Sequence, residues 1–525
     1  MNVFIFTFLV KCSIFLQGAS SAKVLGVFPF PAGSHYILAN KLMTALANNG
    51  HEITFITPFP TKETPQNSSW EDIVLDGVKE DYYKLFNQVN MYDDSKIHSL
   101  QKLSKYQTMM IGWVNTTLHH PKVRALMDKK VKFDVVITEE MFNYAHRYFA
   151  YHFHAPLILL SSLGPTAWVN DILRGPQPLS YVPHFLISAD FNFQEYLSRV
   201  KNVFFSIILN AYNDIFLIPL HNRLLQQAFP GAPPISELNK HVAFILLNSH
   251  ESLVQPVPLV PSMVSIGGYH IDPPKALPKD LQKFLDDSKK GVVYFSMGSN
   301  LKAKDMSDEK KQIFLNVFSK LKQKVLWKFE DETISGLPDN VFVMTWVPQQ
   351  DVLAHPNIKL FITHGGLLST TETIHHGVPV LAIPVFADQF TNALKAVQGG
   401  YGLRIGYNDE NFNEETVTNL INELLTNPKY TENVKRISNI YHDRPINSKE
   451  SAIYWVNYVV RHKGAEHLKV AGVKLPLYQH LLLDIVIPLI ILLHVSVYFS
   501  IKVIRFAYKV RIKSKGEKSK KPKTQ

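Results

Sequence analysis

Short apolar runs alternate along the chain with longer stretches in which apolar residues recur at helical spacing. Runs of this length that are joined by helices are typical of parallel sheets in α/β proteins. The pattern therefore predicts an α/β fold in both halves of the chain. The predicted strands are Lys23–Phe28, Glu52–Thr57, Phe133–Thr138 and Pro156–Ser161 in the first half, and Gly291–Ser296, Lys324–Phe329, Val341–Thr345, Lys359–Thr363 and Val380–Pro384 in the second.

Proline interrupts this pattern between the two halves. Six prolines fall within Val254–Pro278, a density that is typical of an extended linker. We therefore expect two α/β domains, residues 23–250 and 286–475, separated by a linker at residues 251–285.

Two apolar segments lie outside these domains. The run Val3–Val10 is followed by small residues at Gly18–Ala22, which predicts a cleaved signal peptide over residues 1–22. The 21 residues of Leu481–Ile501 would span about 30 Å as a helix, the thickness of a bilayer core. We therefore expect a transmembrane helix at residues 481–501.

The positive charge of the chain is concentrated after this helix. The formal net charge is +11, and residues 502–525 hold ten Lys and Arg against Glu517 alone, so the rest of the chain is close to neutral. Nucleic acid is therefore not an expected partner. The positive-inside rule makes the tail cytosolic and the domains lumenal, a single-pass type I arrangement. Lys521 and Lys523 resemble a dilysine signal for retrieval, so we expect the endoplasmic reticulum membrane.

Cysteine and glycosylation patterns fit a secretory compartment. Cys12 is the single cysteine and lies in the predicted signal peptide, so the mature chain has no disulfide bond. Asn67 and Asn115 each begin an N-glycosylation pattern, which predicts a glycoprotein.

The predicted first sheet carries a histidine and a carboxylate at its ligand-binding edge. Parallel sheets bind ligands at the carboxyl ends of their strands. His35 follows the first strand, and Glu139 follows the third, whereas Asp134 lies at the opposite end of that strand. A carboxylate that fixes the histidine tautomer suits a general base, so His35 and Glu139 are a candidate pair; a histidine in a glycine-containing loop is more often a surface or capping residue, and that alternative stays open at this point.

The second half carries a glycine-containing corner after the strand Lys359–Thr363. Gly365 and Gly366 allow the backbone to approach an anion, and the following helix offers free N–H groups to phosphate. His364 and Ser369 add donors, and Glu372 can accept hydrogen bonds from a ribose diol.

Four further polar or aromatic residues surround this corner in sequence. Trp346 can stack on a base, and Gln349 offers both a donor and an acceptor. Asp388 and Gln389 provide a carboxylate and an amide suited to sugar hydroxyls.

The segment from Phe342 to Gly402 resembles the UDP-glycosyltransferases of GT-B architecture. The resemblance lies in Trp-Val-Pro-Gln at 346–349, Thr-His-Gly-Gly-x-x-Ser-x-x-Glu at 363–372 and Pro-x-Phe-Ala-Asp-Gln at 384–389. It extends over nearly the whole chain and is similar to the animal microsomal type, with insect-like features at Asn248-Ser-His250 and Glu139. It implies two Rossmann-like domains that face a cleft, with a C-terminal transmembrane helix.

The resemblance also implies residue roles. His35 is the catalytic base with Glu139 where the family usually has Asp, and Leu368 stands where vertebrate members often have Asn. The donor site comprises Trp346 and Gln349 for uracil and ribose, His364, Ser369 and Ser299 for the diphosphate, Glu372 for the ribose, and Asp388 with Gln389 for the sugar. The glycine corner can stabilise the leaving diphosphate, so we expect no metal and no cofactor.

The implied reaction is inverting transfer of a hexose, expected to be glucose, from a UDP-sugar to a small lipophilic alcohol or phenol. Two other readings stay open: a UDP-sugar epimerase or phosphorylase of the same architecture, and a UDP-sugar or lipophile carrier without turnover. The sequence also leaves open the natural acceptor and whether the chain forms a homo-oligomer.

Overall fold

The computed structural model describes residues 21–87, 92, 99–184, 187, 191–331 and 334–518. The predicted signal peptide, including Cys12, lies outside these residues except for its last two positions, and so do Lys521 and Lys523.

The first sheet has seven parallel strands among the described residues, in the order β3-β2-β1-β4-β5-β6-β7. Its central strands are buried on both faces because helices cover both sides, which explains their continuous apolar sequences. The strands are β1 Lys23–Val27, β2 Glu52–Thr57, β3 Trp70–Val74, β4 Val135–Glu139, β5 Leu157–Ser161, β6 Val242–Leu247 and β7 Met263–Ser265.

The second sheet has six parallel strands in the described part of the chain, in the order β10-β9-β8-β11-β12-β13. Its core includes Trp327 and Phe295, whose rings stack at 5.3 Å. The strands are β8 Val292–Ser296, β9 Lys324–Lys328, β10 Val341–Met344, β11 Ile358–Thr363, β12 Val380–Ala382 and β13 Gly402–Arg404.

Helices connect these strands and cover the sheets. They are α1 Gly33–Asn48, α2 Val78–Asn87, α3 Ser99–His119, α4 Pro121–Met127, α5 Tyr148–His152, α6 Ala167–Ile172, α7 Tyr196–Tyr212, α8 Ile218–Ala228, α9 Ile235–Leu238, α10 Lys279–Asp286, α11 Asp308–Ser319, α12 Gln349–Leu353, α13 Leu367–His376, α14 Gln389–Gln398, α15 Glu414–Thr426, α16 Lys429–His442, α17 Ser448–Arg461, α18 Leu477–His480 and α19 Leu483–Lys518.

All nine predicted strands are present, with small shifts at their ends, and the structure adds β3, β6, β7 and β13. The added strand β7 differs from the predicted linker at 251–285, since Met263–Ser265 pairs with β6 in the first sheet. The physical reason is that the prolines flank this strand: residues 262–272 contain none, so their N–H groups are free to pair.

The position of helix α17 also differs from the predicted domain boundary. Helix α17 lies within the predicted second domain, yet its Ala452, Val456 and Val459 belong to the core of the first sheet. Trp455 stacks on Phe244 of β6 at 4.7 Å. The chain therefore returns to the first domain, and periodicity alone does not indicate which sheet a helix covers.

Among the described residues, 470–518 form a unit of their own. Helix α19 begins two residues after the predicted start at Leu481 and continues beyond Ile501 through the basic residues to Lys518. Its segment Leu483–Lys513 is long and apolar enough to cross a membrane by length and composition. This is a candidate membrane span, as the sequence predicts.

Candidate active site

His35 and Glu139 meet at the carboxyl edge of the first sheet. His35 lies in the first turn of α1, directly after β1, and Glu139 ends the adjacent parallel strand β4. The Nδ1 atom of His35 contacts Oε1 of Glu139, whose side chain is 3% exposed. The structure therefore brings the two residues together as the strand order requires.

Ser162 is a third member of this group that sequence reasoning missed. Its hydroxyl donates a hydrogen bond to Oε1 of Glu139 at 2.5 Å and lies 3.4 Å from Nδ1 of His35. It directly follows β5, the strand next to β4. Its position after a strand was visible in the sequence, but a serine there carries no distinguishing pattern.

Aromatic rings line the surroundings of the histidine. The ring of Phe30 lies edge-on to His35 with centroids 4.4 Å apart, and Trp113 of α3 lies 5.1 Å from Phe30. Phe142 and Trp168 form a second aromatic pair at 4.7 Å in the same domain. Such rings suit flat apolar ligands.

The first domain faces the second at this point. A Cβ atom placed on Gly33 would lie 3.5 Å from Oγ of Ser299, which follows β8 in the second sheet. Leu368 of α13 packs against the core of the first sheet. The predicted base and the predicted diphosphate-binding residue Ser299 therefore lie on opposite sides of one narrow gap.

His364 is held between two glycine backbones. Cβ atoms on Gly298 and Gly366 would each lie 2.5 Å from atoms of its imidazole ring, so only glycine leaves room for the ring. Burial, and to a smaller extent the nearby Lys328 ammonium, lowers the pKa of His364 to about 4. The imidazole is therefore neutral near pH 7 and can donate one hydrogen bond.

The corner after β11 ends in the start of helix α13. Gly365 has φ +81°, a left-handed conformation that favours glycine, and Gly366 is the N-cap. Asn392 of α14 donates to the carbonyl of Gly365 at 2.9 Å. Ser369 is buried in the first turn. The first-turn N–H groups of a ten-residue helix are thus fixed at the sheet edge.

Glu372 lies in a network of side-chain amides. Gln349 donates to its Oε2 at 2.6 Å and to Oγ of Ser369 at 3.0 Å, and Gln350 donates to its Oε1 at 3.0 Å. The predicted residues Gln349, Ser369 and Glu372 are therefore in direct contact. Gln350 was not predicted, because Gln349 before it already completed the Trp-Val-Pro-Gln motif. Trp346, after β10, is 65% exposed and leaves its ring available for stacking.

Asp388 and Gln389 follow β12 at the start of α14. Ala387 before them has φ +54°, an unfavourable conformation for a residue with a Cβ atom. Asn392 donates to Oδ2 of Asp388 at 2.8 Å. Burial raises the pKa of Asp388, whereas the Asn392 hydrogen bond and the positive charge of a protonated His35 lower it. Asp388 is therefore within electrostatic range of His35 from the other domain.

The side-chain oxygen of Gln389 is occupied by backbone hydrogen bonds, which the sequence does not indicate. Its Oε1 accepts hydrogen bonds from the backbone N–H groups of Val385 and Phe386 at 2.8 and 3.0 Å. Only its amide N–H groups are left to donate to a ligand.

Lys328 is a buried cation beside the glycine corner that the sequence reasoning missed. Its Nζ donates to the carbonyl of Gly298 at 3.0 Å and to Oε1 of Glu330 at 2.5 Å. A lysine at the end of an apolar strand, directly after Trp327, was the available signal.

Within the described ranges, no group of three or more His, Cys, Asp and Glu side chains is placed to hold a metal ion. The expectation of a reaction without a metal or cofactor stays a prediction.

Residues 22–518 match the protein family described as "UDP-glucoronosyl and UDP-glucosyl transferase". The chain is 35% identical over 506 residues to UDP-glycosyltransferase UGT5 of Dactylopius coccus, covering 95% of each chain. It is 28% identical to UDP-glucuronosyltransferase 2B17 of Rattus norvegicus, covering 96% of this chain and 97% of the relative.

Solved structures show the same fold. A UDP-glucosyltransferase from Polygonum tinctorium superposes with a TM-score of 0.56 at 18% identity, covering 85% of this chain and all of the other. The glycotransferase of kitacinnamycin superposes with a TM-score of 0.51 at 16% identity, covering 84% and 99%. These likenesses confirm the predicted GT-B architecture of two facing α/β domains. The chain belongs to the UDP-glucuronosyl and UDP-glucosyl transferase family, and it is an enzyme that transfers a sugar from a UDP-sugar donor to an acceptor.

Proposed function

We propose that the chain transfers glucose from UDP-glucose to a hydroxyl group of a small lipophilic acceptor, with inversion at the anomeric carbon and His35 as general base. The observation that carries this proposal is the pairing of His35 with Glu139, directly opposite Ser299 and the glycine corner.

The first step is removal of the acceptor proton. Glu139 accepts the hydrogen bond from Nδ1–H of His35, so the lone pair on Nε2 is free to take the proton of the acceptor hydroxyl. General-base assistance of this kind contributes roughly 10²–10⁴ in rate.

The acceptor oxygen then forms a bond to the anomeric carbon as the bond from that carbon to the UDP oxygen breaks. The electron pair leaves with the diphosphate, where negative charge accumulates. The N–H groups at the start of α13, the neutral imidazole of His364 and the hydroxyl of Ser299 are the donors proposed to stabilise that charge. Lys328 contributes a positive charge behind the Gly298 loop.

The nucleoside is proposed to bind along α12 and α13. Glu372, oriented by Gln349 and Gln350, accepts hydrogen bonds from the ribose diol, and exposed Trp346 stacks on uracil. Asp388 and the amide N–H groups of Gln389 are proposed to hold the sugar hydroxyls, close to His35.

The donor and acceptor proposals have separate supports. A relative of Dactylopius coccus that is 32% identical is named UDP-glucosyltransferase 2, which favours glucose. The Polygonum tinctorium enzyme is described as glucosylating indoxyl, and its structure contains 3,4-dichloroaniline. The ring of Phe30 beside His35 and the ring of Trp113 beside Phe30 favour flat acceptors of that kind here.

We also propose the endoplasmic reticulum membrane as the location, with lumenal domains and a cytosolic tail. The support is the apolar helix Leu483–Lys513 followed by the basic tail.

A competition assay tests the donor and the reaction together. Membranes that contain the full chain are incubated with a simple phenol and equal concentrations of UDP-glucose and UDP-glucuronate. We expect the β-glucoside to predominate; a predominant glucuronide would contradict the donor, and an α-linked product would contradict inversion.

A further inference from the structure

Residues 266–278, the connector, lead from β7 of the first sheet to α10 of the second domain. The carbonyl of Gly267 accepts hydrogen bonds from Oη of Tyr441 at 3.3 Å and from Oγ of Ser448 at 3.0 Å. A Cβ atom on Gly268, which has φ +89°, would lie 1.6 Å from Oη of Tyr441, so only glycine allows this close approach. The start of the connector is therefore fixed against α16 and α17.

The connector is also bonded to helix α1, whose first turn carries the proposed base. Oη of Tyr269 donates to the carbonyl of Leu38 at 2.9 Å within the core of the first sheet. Asp272 contacts the same helix, because its Oδ2 accepts a hydrogen bond from Nζ of Lys41. Its other oxygen, Oδ1, accepts from Nζ of Lys449 of α17 at 2.5 Å. One carboxylate therefore holds two helices of the first domain to the connector.

Asp272 is charged at neutral pH. Burial raises the pKa of its carboxyl, but the hydrogen bonds and positive charges of Lys41 and Lys449 outweigh burial and leave the pKa below its ordinary value. Both contacts are therefore ion pairs with hydrogen bonds, the stronger kind of polar contact. The three side chains are between 25% and 31% exposed, so water can still reach them.

On its other side the connector contacts the donor site. The backbone N–H of Asp272 donates to Oε1 of Gln350 at 3.3 Å, and Nε2 of Gln350 donates to Oε1 of Glu372 at 3.0 Å. The buried ring of His270 lies beside the same carboxylate, with its Nε2 3.7 Å from Oε1 of Glu372. Glu372, the residue proposed to bind the ribose, is thus joined to Asp272 through one side chain.

These contacts join two parts of the site that must be aligned for transfer. The first domain holds the proposed base and the second holds the proposed donor site, and a misplacement of about 1 Å can cost roughly 100-fold in rate. Lys41 lies on the same helix as His35, about 9 Å along its axis at about 1.5 Å per residue. Direct contacts connect the donor site to this helix through four residues: Glu372, Gln350, Asp272 and Lys41.

We infer that Asp272 is a positioning residue, which sets the place of the His35 helix relative to the donor and makes that place depend on occupancy of the donor site. The inference rests on the proposed roles of His35 and Glu372. Asp272 acts through Lys41 and α1, and not on the reacting atoms. Binding of the ribose restrains Glu372, and the connector passes this restraint to α1, so the base is held most firmly when a donor is present.

Hydrogen exchange in the full chain, held in detergent micelles, tests this coupling without an acceptor. Saturating UDP should slow the exchange of backbone N–H groups in α13, at the donor site, and also in α1. In Asp272→Asn, which keeps the side-chain shape and removes the charge, UDP should still protect α13 and no longer protect α1. This variant should fold, because the partly exposed Lys41 and Lys449 can turn towards water.

Steady-state kinetics with UDP-glucose and a simple phenol test the consequence for turnover. Lys41→Met breaks only the link to α1 and should lower kcat about tenfold, a part of the cost of a 1 Å misplacement, while Kd for UDP stays unchanged. Asp272→Asn should lower kcat by the same factor, and the double variant should lose no more than either single variant. Lys122→Met, which breaks an ion pair with Asp76 elsewhere in the first domain, is the matched control and should keep kcat.

Two results in hydrogen exchange would overturn the inference: protection of α1 in Asp272→Asn equal to that in the wild type, or wild-type protection that is confined to α13. Losses of kcat that add in the double variant would also overturn it, because they indicate two separate defects. A lack of UDP protection in α13 would instead overturn the proposed donor site, and normal activity in His35→Ala would overturn the proposed base. The failure of the inference is thereby distinguishable from the failure of the proposed function.

Discussion

The two strand-to-helix corners that face each other across the cleft follow the first strand of one sheet and the fourth strand of the other, and they differ in chemistry. The first, after β1, presents His35 backed by the carboxylate of Glu139. The second, after β11, presents glycine backbone, helix N–H groups and His364, whose pKa burial lowers to about 4. In the proposed mechanism, the first corner transfers a proton and the second binds the anion. A pair of similar domains can thus divide proton transfer and anion binding between them.

The largest expected effect is at the first corner. His35→Ala should reduce glucosyl transfer by roughly 10²–10⁴, since the acceptor proton loses its base, while UDP affinity stays unchanged because the second corner is intact. Initial rates and calorimetric titration with UDP measure the two quantities. His467→Ala, which replaces an exposed histidine, serves as the control. A parallel loss of UDP affinity in His35→Ala would contradict the separation of proton transfer from UDP binding.

The next effect is at the second corner. A Cβ atom on Gly366 would lie 2.5 Å from Nε2 of His364 and displace the ring. Gly366→Ala should weaken UDP binding by about 10- to 100-fold, the equivalent of roughly 1–3 kcal/mol of local strain. Gly112→Ala, where no atom lies within 4 Å, is the matched control. Wild-type affinity in Gly366→Ala would rule out a close fit around His364.

A smaller effect on UDP affinity is expected from Trp346, the residue proposed to stack on uracil. Trp346→Ala should weaken UDP binding by about tenfold, because stacking on an aromatic ring is worth about 1–3 kcal/mol per base. Trp346→Phe keeps a ring and should retain most of the affinity. Calorimetric titration with UDP compares the two variants. If Trp346 does not stack on the base, both variants should bind UDP as tightly as the wild type, and this result would contradict the proposed contact.

The smallest expected effect is on the pH dependence of the free energy of unfolding. Burial lowers the pKa of His364 to about 4, below the ordinary value near 6.5. The unfolded chain therefore takes up the proton first, so stability from this group is complete above about pH 6.5 and declines as the pH falls towards 4. Thermal unfolding between pH 7 and pH 4 should show a shallower decline for His364→Asn than for the wild type, and equal slopes would contradict a lowered pKa of His364 in the folded chain.

The parts of the molecule that have a local pattern could be predicted from sequence. The apolar runs of the central strands located both sheets, and the position of His35 and Glu139 after neighbouring strands placed them together before any contact was known. The glycine corner could likewise be predicted, because the backbone conformation that it requires favours glycine, and the sequence has Gly365 and Gly366 there.

The remaining features depend on tertiary packing. Helix α17 has an ordinary apolar face, and only the assembled structure shows that it covers the first sheet. No sequence spacing predicts the roles of three residues whose partners are distant in the chain: Ser162, Gln350 and Lys328. The buried polar face of α7 likewise shows only in the assembled structure.

The most direct test of the division of work is the heat of UDP binding to the purified full chain. The account predicts a binding heat in the wild type, the same affinity in His35→Ala, and an affinity about 10- to 100-fold weaker in Gly366→Ala. An absence of heat with the wild type would contradict the donor site itself, and with it the proposed function.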